Sequence, residues 1–318
     1  MDDDPTLRDV GEFGLIDRVT AGRSQPGYTL LGPGDDAAVV LAADGRVVAT
    51  TDVLVDAVHF RLDWSTPEQI GRKAAAANLA DIAAMGAVPT ALLVGLTCPV
   101  GTPVDVLVGL ADGLWAEASA VGAGLVGGDV AASATLTLAV TALGSLQRRA
   151  PVTRAGAHPG DVVALAGRVG WAAAGLAVLQ RGFRSPRMAV SAYRVPEPPY
   201  AAGPQAALAG ATAMIDISDG LLADLGHVAR ASDVAIDVRS ASLRLPPRLV
   251  EVAGALGVDP MSWLLTGGED HALAATFPPE VDLPDGWTAI GEVAAGDPVV
   301  TVDGEPYEGP GGWDHFAR

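Results

Sequence analysis

The sequence predicts a mixed α/β protein of two domains, residues 1–146 and 147–318. Three observations predict it. A chain of 318 residues is long enough for two cores. Short Val-, Leu- and Thr-rich runs alternate with capped helical stretches in both halves, yet give too few clean β-α-β repeats for a simple doubly wound sheet. Between Gln147 and Gly160 three arginines and two prolines interrupt all periodicity, which places the boundary near Ser145–Arg149.

In order, Arg46–Thr51 reads as a buried strand running into Asp52. Thr66-Pro67-Glu68-Gln69 then starts a helix, with Thr66 as cap, Pro67 in the first position and Gln69 closing a capping box. An alanine-rich run carries it to Met85, and Gly86 and Pro89 stop it. Thr90–Thr97 is a strand. Thr102, Pro103 and Asp105 repeat the capping pattern for a helix to about Val121. Leu125–Val126 and Thr135–Leu143 are strands, the second with Thr/apolar alternation. In the second half, strands are expected at 162–166, 213–217, 234–238 and 271–277. Helices are expected at 171–181, 221–231 and 246–256, and 194–204 reads as a proline-rich loop.

Composition removes several function classes. Twenty basic against 38 acidic residues give a net charge of −18, which disfavours nucleic acid or an anionic membrane as partner. No apolar run approaches the ~18–20 residues of a membrane span. Met1-Asp2-Asp3-Asp4 is acidic where a signal peptide is basic, so a cytoplasmic protein is expected. Cys98 is the only cysteine, which excludes an internal disulfide and a Cys-rich metal site. Lys73 is the only lysine, and Arg72 and Ala74 flank it. A Walker A loop needs Gly-Lys-Ser/Thr, so ATP, if bound, is not held by a P-loop. A protein-kinase pattern is absent as well.

The informative acids stand beside glycines and at strand ends: Gly34-Asp35-Asp36-Ala37, Thr50-Thr51-Asp52, Gly127-Gly128-Asp129 and Asp216-Ile217-Ser218-Asp219-Gly220. Carboxylates there project from rigid elements into a ligand crevice, and neighbouring glycines let backbone approach phosphate. Each has a bland reading: Asp219 as a helix cap, Asp35 and Asp36 as turn residues, Asp129 in a simple loop. Asp81 is different. It lies inside the alanine-rich helix, sharing a side with Lys73, Ala77 and Asn78. A buried, unpaired carboxylate would cost several kcal/mol, so a cation is required, either Lys73 or a metal. Hard oxygen donors without a histidine cluster suit Mg²⁺, and several Mg²⁺ ions accompany polyphosphate chemistry.

Six motifs in order, Gly34-Asp35-Asp36-Ala37-Ala38, Thr50-Thr51-Asp52 with His59-Phe60, Asn78-Leu-Ala-Asp81-Ile-Ala-Ala-Met-Gly86, Gly127-Gly-Asp129, Asp216-Ile-Ser-Asp-Gly-Leu221 and Gly267-Gly-Glu-Asp270, closely resemble the thiamine-monophosphate kinase family. The match runs from Gly11-Glu12-Phe13 to Gly312-Trp313-x-His315-Phe316. The resemblance implies a homodimer in which the N-terminal sheet pairs across two copies into a barrel, a C-terminal α/β sandwich, and ATP with several Mg²⁺ ions in the crevice between domains. It implies metal ligation by Asp35, Thr50, Thr51, Asp52, Asp81, Asp129, Asp216 and Asp219. ATP contacts fall to Gly128, Asp129, Arg154 and Ser218, and thiamine monophosphate contacts to His59, Glu269 and Trp313. Arg154 offers phosphate a planar fork, and Trp313 an aromatic face for a cationic ring. Two positions depart from the family pattern: His271-Ala272 follows Asp270 where Tyr-Glu is often found, and a tyrosine sometimes near the adenine falls at about Ala111.

The expected reaction is in-line transfer of the ATP γ-phosphoryl group to the phosphate of thiamine monophosphate, giving the diphosphate. Asp52, Asp81 and Asp129 would be central, and the anionic acceptor would need no strong base. Two alternatives remain open on sequence: a sister ATP-dependent enzyme of the aminoimidazole ribonucleotide synthetase and selenophosphate synthetase superfamily, or a non-catalytic Mg²⁺–nucleotide-binding protein.

Overall fold

Helix α1 (Leu7–Thr20), bent at Gly11, and the short antiparallel strands β1 (Thr29–Leu31) and β2 (Val39–Val40) precede the main sheet. They are seen in a computed structural model that describes residues 5–33 and 37–309. Sequence patterning missed all three, because the strands are too short to show a period and α1 carries a glycine at its bend. Asp35 and Trp313 lie outside the described residues.

The chain divides into two units, Met1–Ile82 with Val88–Gln147, and Ala83–Ala87 with Arg148–Arg318. Both are mixed α/β, as the pattern predicted. The first is built on β3 (Val48–Val55), α2 (Pro67–Ala84), β4 (Val88–Cys98), α3 (Val104–Ala120), β5 (Gly124–Ala132) and β6 (Thr137–Ser145). Its four strands run in the order β3-β6-β4-β5, antiparallel except for β4 with β5.

Helix α2 starts with the expected box. The Thr66 N–H donates to Gln69 Oε1 (3.0 Å), and the Gln69 N–H donates to Thr66 Oγ1 (3.3 Å). Gly86, at φ +71°, turns the chain out of the helix. The second cap differs from expectation. Pro103 stands at the N-cap of α3 without a side-chain bond, and the Val104 N–H donates instead to the Pro5 carbonyl (2.7 Å). A distant chain segment thus replaces the Thr102 cap.

Helices α2 and α3 touch through glycine. A Cβ on Gly71 would come within 2.0 Å of the Leu110 carbonyl, and one on Gly113 within 2.0 Å of the Glu68 carbonyl. Ala74, Ala75, Ala76, Leu79 and Ala80 are fully buried. The sheet is two-faced. Along β6 Leu138, Val140 and Ala142 are buried, while Thr137, Ala139 and Thr141 are only partly covered. The second face continues through Thr51 and Val53 of β3, both exposed.

Two strands run farther than predicted. Pairing of β3 with β6 continues through Val53↔Ala139 to Val55↔Thr137, so Thr50, Thr51 and Asp52 lie inside a strand and not at its end. Likewise β5 passes through Gly127, Gly128 and Asp129, held parallel to β4. Glycine discourages a strand reading from sequence alone, but Gly128 is needed here, because a Cβ would stand 2.1 Å from the Val94 carbonyl.

The second unit contains β7 (Val162–Ala166), α4 (Trp171–Gln180), α5 (Arg187–Arg194), α6 (Ala202–Ala209), β8 (Ala213–Ile217), α7 (Leu221–Ser232), β9 (Ala235–Val238), α8 (Pro247–Leu256), α9 (Pro260–Thr266), β10 (Ala272–Phe277), β11 (Trp287–Ala294), β12 (Val300–Val302) and β13 (Glu305–Pro306). Its seven strands are ordered β13-β12-β9-β11-β7-β10-β8. One face packs Ala164, Met214, Leu273, Ala275 and Phe277 with Ala202 and Ala206 of α6 and with Ala83 and Ala84. Phe277 meets Trp287 edge to face at 5.5 Å. Helix α6 begins inside the segment read as a loop, because Ala202 and Ala206 are drawn into that core despite the surrounding prolines. The segments α5, α9 and β11–β13 carried no signal strong enough to be expected.

The glycine contact between α2 and α3 sets a first prediction. Gly113→Ala forces two backbones apart, and an overpacked core costs about 1–3 kcal/mol or more. Urea unfolding should show that loss, whereas Gly122→Ala, at a site with open space beside it and with strain from its φ of +72° alone, should lose less.

Candidate active site

The candidate residues within the described chain fall into two groups, one on each unit. In the first unit, Thr50 and Asp52 project from β3 toward α2. The Thr50 hydroxyl donates to Asp81 Oδ2 at 2.7 Å. One turn earlier on α2, fully buried Asn78 accepts the Asp52 backbone N–H on Oδ1 (3.1 Å) and donates from Nδ2 to the Ala74 carbonyl (3.0 Å). The carboxamide thereby ties the strand at Asp52 to the helix one turn from Asp81. Asp81 is half-buried, and the buried Lys73 ammonium reaches the His59 carbonyl at 3.3 Å. His59 Nδ1 accepts the Val55 N–H at 3.0 Å, so its hydrogen resides on Nε2.

Two expected partners do not join this group within one chain. Thr51 points to the opposite sheet face, donating to the Val140 carbonyl (3.0 Å) and accepting from the Thr141 hydroxyl (3.1 Å). Asp129 is exposed on β5. It aligns with Gly95, Ala139 and Val53 across the sheet, and so shares the face of Thr51. Strands β3 and β5 are the two edges of the sheet, three spacings or about 14 Å apart.

In the second unit the Asp216–Gly220 and Gly267–His271 segments are zipped together. The Glu269 N–H donates to the Ser218 carbonyl (2.8 Å), and the His271 N–H donates to the Ile217 carbonyl (3.0 Å). Glycine makes the approach feasible: a Cβ on Gly268 would lie 2.2 Å from the Ser218 carbonyl, and one on Gly220 2.6 Å from that of Thr266. Glu269 and His271 hold φ of +66° and +52°, strained for residues with side chains and common at functional positions.

Asp216 is buried, and its Oδ2 meets His271 Nδ1 at 3.0 Å. Asp219 is not the cap of α7. Asp224, inside the helix, reaches back with Oδ2 to accept the N–H groups of Asp219 (3.0 Å) and Gly220 (3.1 Å). Burial first, and the Asp216 charge second, push the Asp224 carboxyl up to about 7. Asp270 turns away to α4, where Oδ1 accepts the Ala172 N–H (2.9 Å). Its Oδ2 is buried without a hydrogen-bond partner, and burial pushes this carboxyl up to about 7.

Arg154 is exposed, and its charge, after burial and Arg230, helps lower the pKa of His227 on α7. Along that helix a cavity of about 660 Å³ is lined by Leu222, His227, Arg230, Thr266, Val299 and Tyr307 among others. Asp224, His271 and Asp270 were not anticipated as site residues. An acid in a first helical turn ordinarily serves the helix dipole, and nothing in the sequence says that this one gathers the preceding loop.

Acids stand on a four-stranded sheet and its alanine-rich helix, and a second acid loop lies on a separate α/β unit. The profile of the AIR synthase related protein, N-terminal domain, matches residues 34–146. Over the whole length the likeness is narrower. The thiamine-monophosphate kinase of Mycobacterium tuberculosis is 51% identical over 315 residues, 99% of this chain and 94% of that protein. The crystal structure of thiamine-monophosphate kinase from Stenotrophomonas maltophilia is 34% identical, covers 94% of this chain and 98% of its own, and superimposes with a TM-score of 0.80. AaThiL complexed with AMPPCP and TMP is 31% identical, with coverage of 98% and 99% and the same TM-score of 0.80. The chain belongs to the thiamine-monophosphate kinase family.

The buried Asp270 carboxyl gives a pH prediction. Its folded pKa stands above the unfolded value of 3.8, so the folded state binds the extra proton between about pH 4 and 7. Stability of the metal-free protein should therefore fall as pH rises through that window, by at most about 1.4 kcal/mol per pH unit from this group. Asp270→Asn keeps the acceptor for Ala172, and its melting temperature should decline less over the same range.

Proposed function

We propose that the protein transfers the γ-phosphoryl group of ATP to thiamine monophosphate, giving thiamine diphosphate, as a Mg²⁺-dependent homodimer. The observation that carries this reading is the Thr50–Asp52–Asn78–Asp81 clasp, within a chain 51% identical to a thiamine-monophosphate kinase. Likeness to AaThiL complexed with AMPPCP and TMP supports both substrates.

The donor chemistry fits Mg²⁺. Thr50, Asp52 and Asp81 offer hard oxygens only, and so do Asp216 and Asp219. Among the described residues no three His, Cys, Asp or Glu side chains close on one point. That suits an ion held by one or two carboxylates and completed by phosphate oxygens and water. Burial first, and the neighbouring Asp216 charge second, raise the pKa of Asp224, and a cation beside these acids would offset the second of the two. Bound Mg²⁺ would supply charge neutralisation between the two anionic substrates.

The remaining work falls to side chains of this chain. Asn78 keeps Asp52 in register with Asp81. His59 presents Nε2–H as a donor. Ser218 and Arg154 would hold phosphate oxygens, with Glu269 and Trp313 toward the thiamine moiety and Asp35 and Thr51 as further oxygen donors. The acceptor phosphate is anionic at neutral pH, so positioning and charge stabilisation carry the step.

Asp129 calls for a second copy. It stands on the far edge and opposite face from Asp52. Closing two four-stranded sheets into a barrel, β3 of one against β5 of the other, would cover the Thr51, Val53 and Ala139 faces. It would also bring Asp129 of the second copy, with Gly128, beside Thr51 and Asp52.

Purified protein with Mg²⁺, ATP and thiamine monophosphate should yield equal amounts of ADP and thiamine diphosphate. Asp52→Asn should cut turnover on the order of 100-fold or more with the melting temperature kept; near-normal turnover would remove Asp52 from the mechanism. Asp129→Asn should be inactive alone, yet mixing it with Asp52→Asn under subunit exchange should restore about a quarter of wild-type activity through heterodimers with one intact site. Absence of recovery in a verified heterodimer would place Asp129 in the same chain's site.

A further inference from the structure

Helix α7 is tied down at both ends. At its start Asp224 gathers the amides of Asp219 and Gly220. At its last residue, Ser232, one hydroxyl makes three bonds to the segment that carries Arg154. It accepts the N–H groups of Gly156 and Ala157, each at 3.1 Å, and donates to the Arg154 carbonyl at 3.0 Å.

The ordinary reading of Ser232 is a local tie that satisfies two loop amides. The rest of the segment asks for more. Its other anchors are also backbone contacts: the Thr153 carbonyl accepts the Met214 N–H of β8 at 3.1 Å, and the Thr153 hydroxyl donates to the Ala155 carbonyl at 2.7 Å. Gly156 packs against the Thr212 carbonyl, where a Cβ would stand 2.2 Å away. The backbone on both sides of Arg154 is thus fixed, while the Arg154 side chain is exposed. A fixed backbone under an exposed arginine limits the freedom that the side chain loses when it meets a ligand. The planar guanidinium matches phosphate oxygens.

The surroundings give a direction. His227 lies five residues before Ser232 on α7, about 7.5 Å back along the helix axis. Its pKa is lowered by burial, then by Arg230 and Arg154, and raised by Asp219. Arg154 and Asp219 therefore act on the same imidazole, and the guanidinium charge is felt back along α7 toward the acid loop.

We propose that Ser232 is a positioning residue for nucleotide binding: its hydroxyl fixes the backbone at Arg154 so that the guanidinium runs along α7 toward Asp219 and meets the phosphates of ATP. The inference rests on the reading of Arg154 as an ATP contact and names what holds it. Its test is calorimetric titration of the full-length protein with the ATP analogue AMPPCP, in Mg²⁺ and saturating thiamine monophosphate. Arg154→Gln should raise Kd about tenfold, the loss of a charge-assisted hydrogen bond. Ser232→Ala should raise it about fivefold, and the double variant should bind no more than about twofold more weakly than Arg154→Gln alone, because residues that act through one contact are not additive. Ser232→Cys, with a similar volume and a weaker acceptor, takes the place of Ser232→Ala if that variant fails to fold. Wild-type affinity in the Ser232 variant, whatever its melting temperature, would reduce Ser232 to a structural tie. So would a fivefold loss added in full on top of Arg154→Gln. Wild-type affinity in Arg154→Gln would instead remove Arg154 from the nucleotide site and the inference with it, and no binding by wild type would overturn the ATP reading itself.

Discussion

The geometry of the first acid group rests on how closely α2 lies against the sheet. Asn78 can accept the Asp52 N–H only because the neighbouring helix surface is alanine. A larger side chain at Ala74 or Ala75 would lift the helix and break both the Asn78 bridge and the Thr50–Asp81 bond. The glycine contacts with α3 press on the same helix from another side. Tight packing of small residues therefore fixes the relative position of two like charges that would otherwise separate.

The second acid group reaches the same end by another route. There the backbone does the positioning: two loops share hydrogen bonds and interlock at glycines, and Asp224 gathers the amides at the start of α7. The fold buries Asp224, and holds it near the Asp216 charge, at a cost seen in its raised pKa, burial being the larger cause. Such frustration is tolerated where a ligand resolves it.

Much of this was legible in the sequence, and the boundary of legibility is physical. The α2 helix could be read from Thr66 to Gly86, because its caps and its apolar run agree, and Asp81 stood out because an acid contradicts its alanine surroundings. Strand ends were misjudged at Asp52 and Asp129, since register is settled by the partner strand, which sequence does not display. The role of Thr102 passed to the Pro5 carbonyl, a contact nearly a hundred residues away in sequence. Asp224 and His271 were invisible for a similar reason: what they touch lies across the fold, or in a loop whose path no local propensity dictates. The motifs named candidate side chains, and the structure supplied the contacts that hold those it describes.

The separation of Asp129 from Asp52 has a consequence for how the protein would behave in a cell. If two copies must close around each other before the acids meet, an isolated chain is chemically silent toward ATP. Newly made subunits could then neither squander nucleotide nor act on stray phosphate esters until they had found one another. Output would rise more steeply than in proportion to expression at low abundance, so that assembly itself serves as the on-switch.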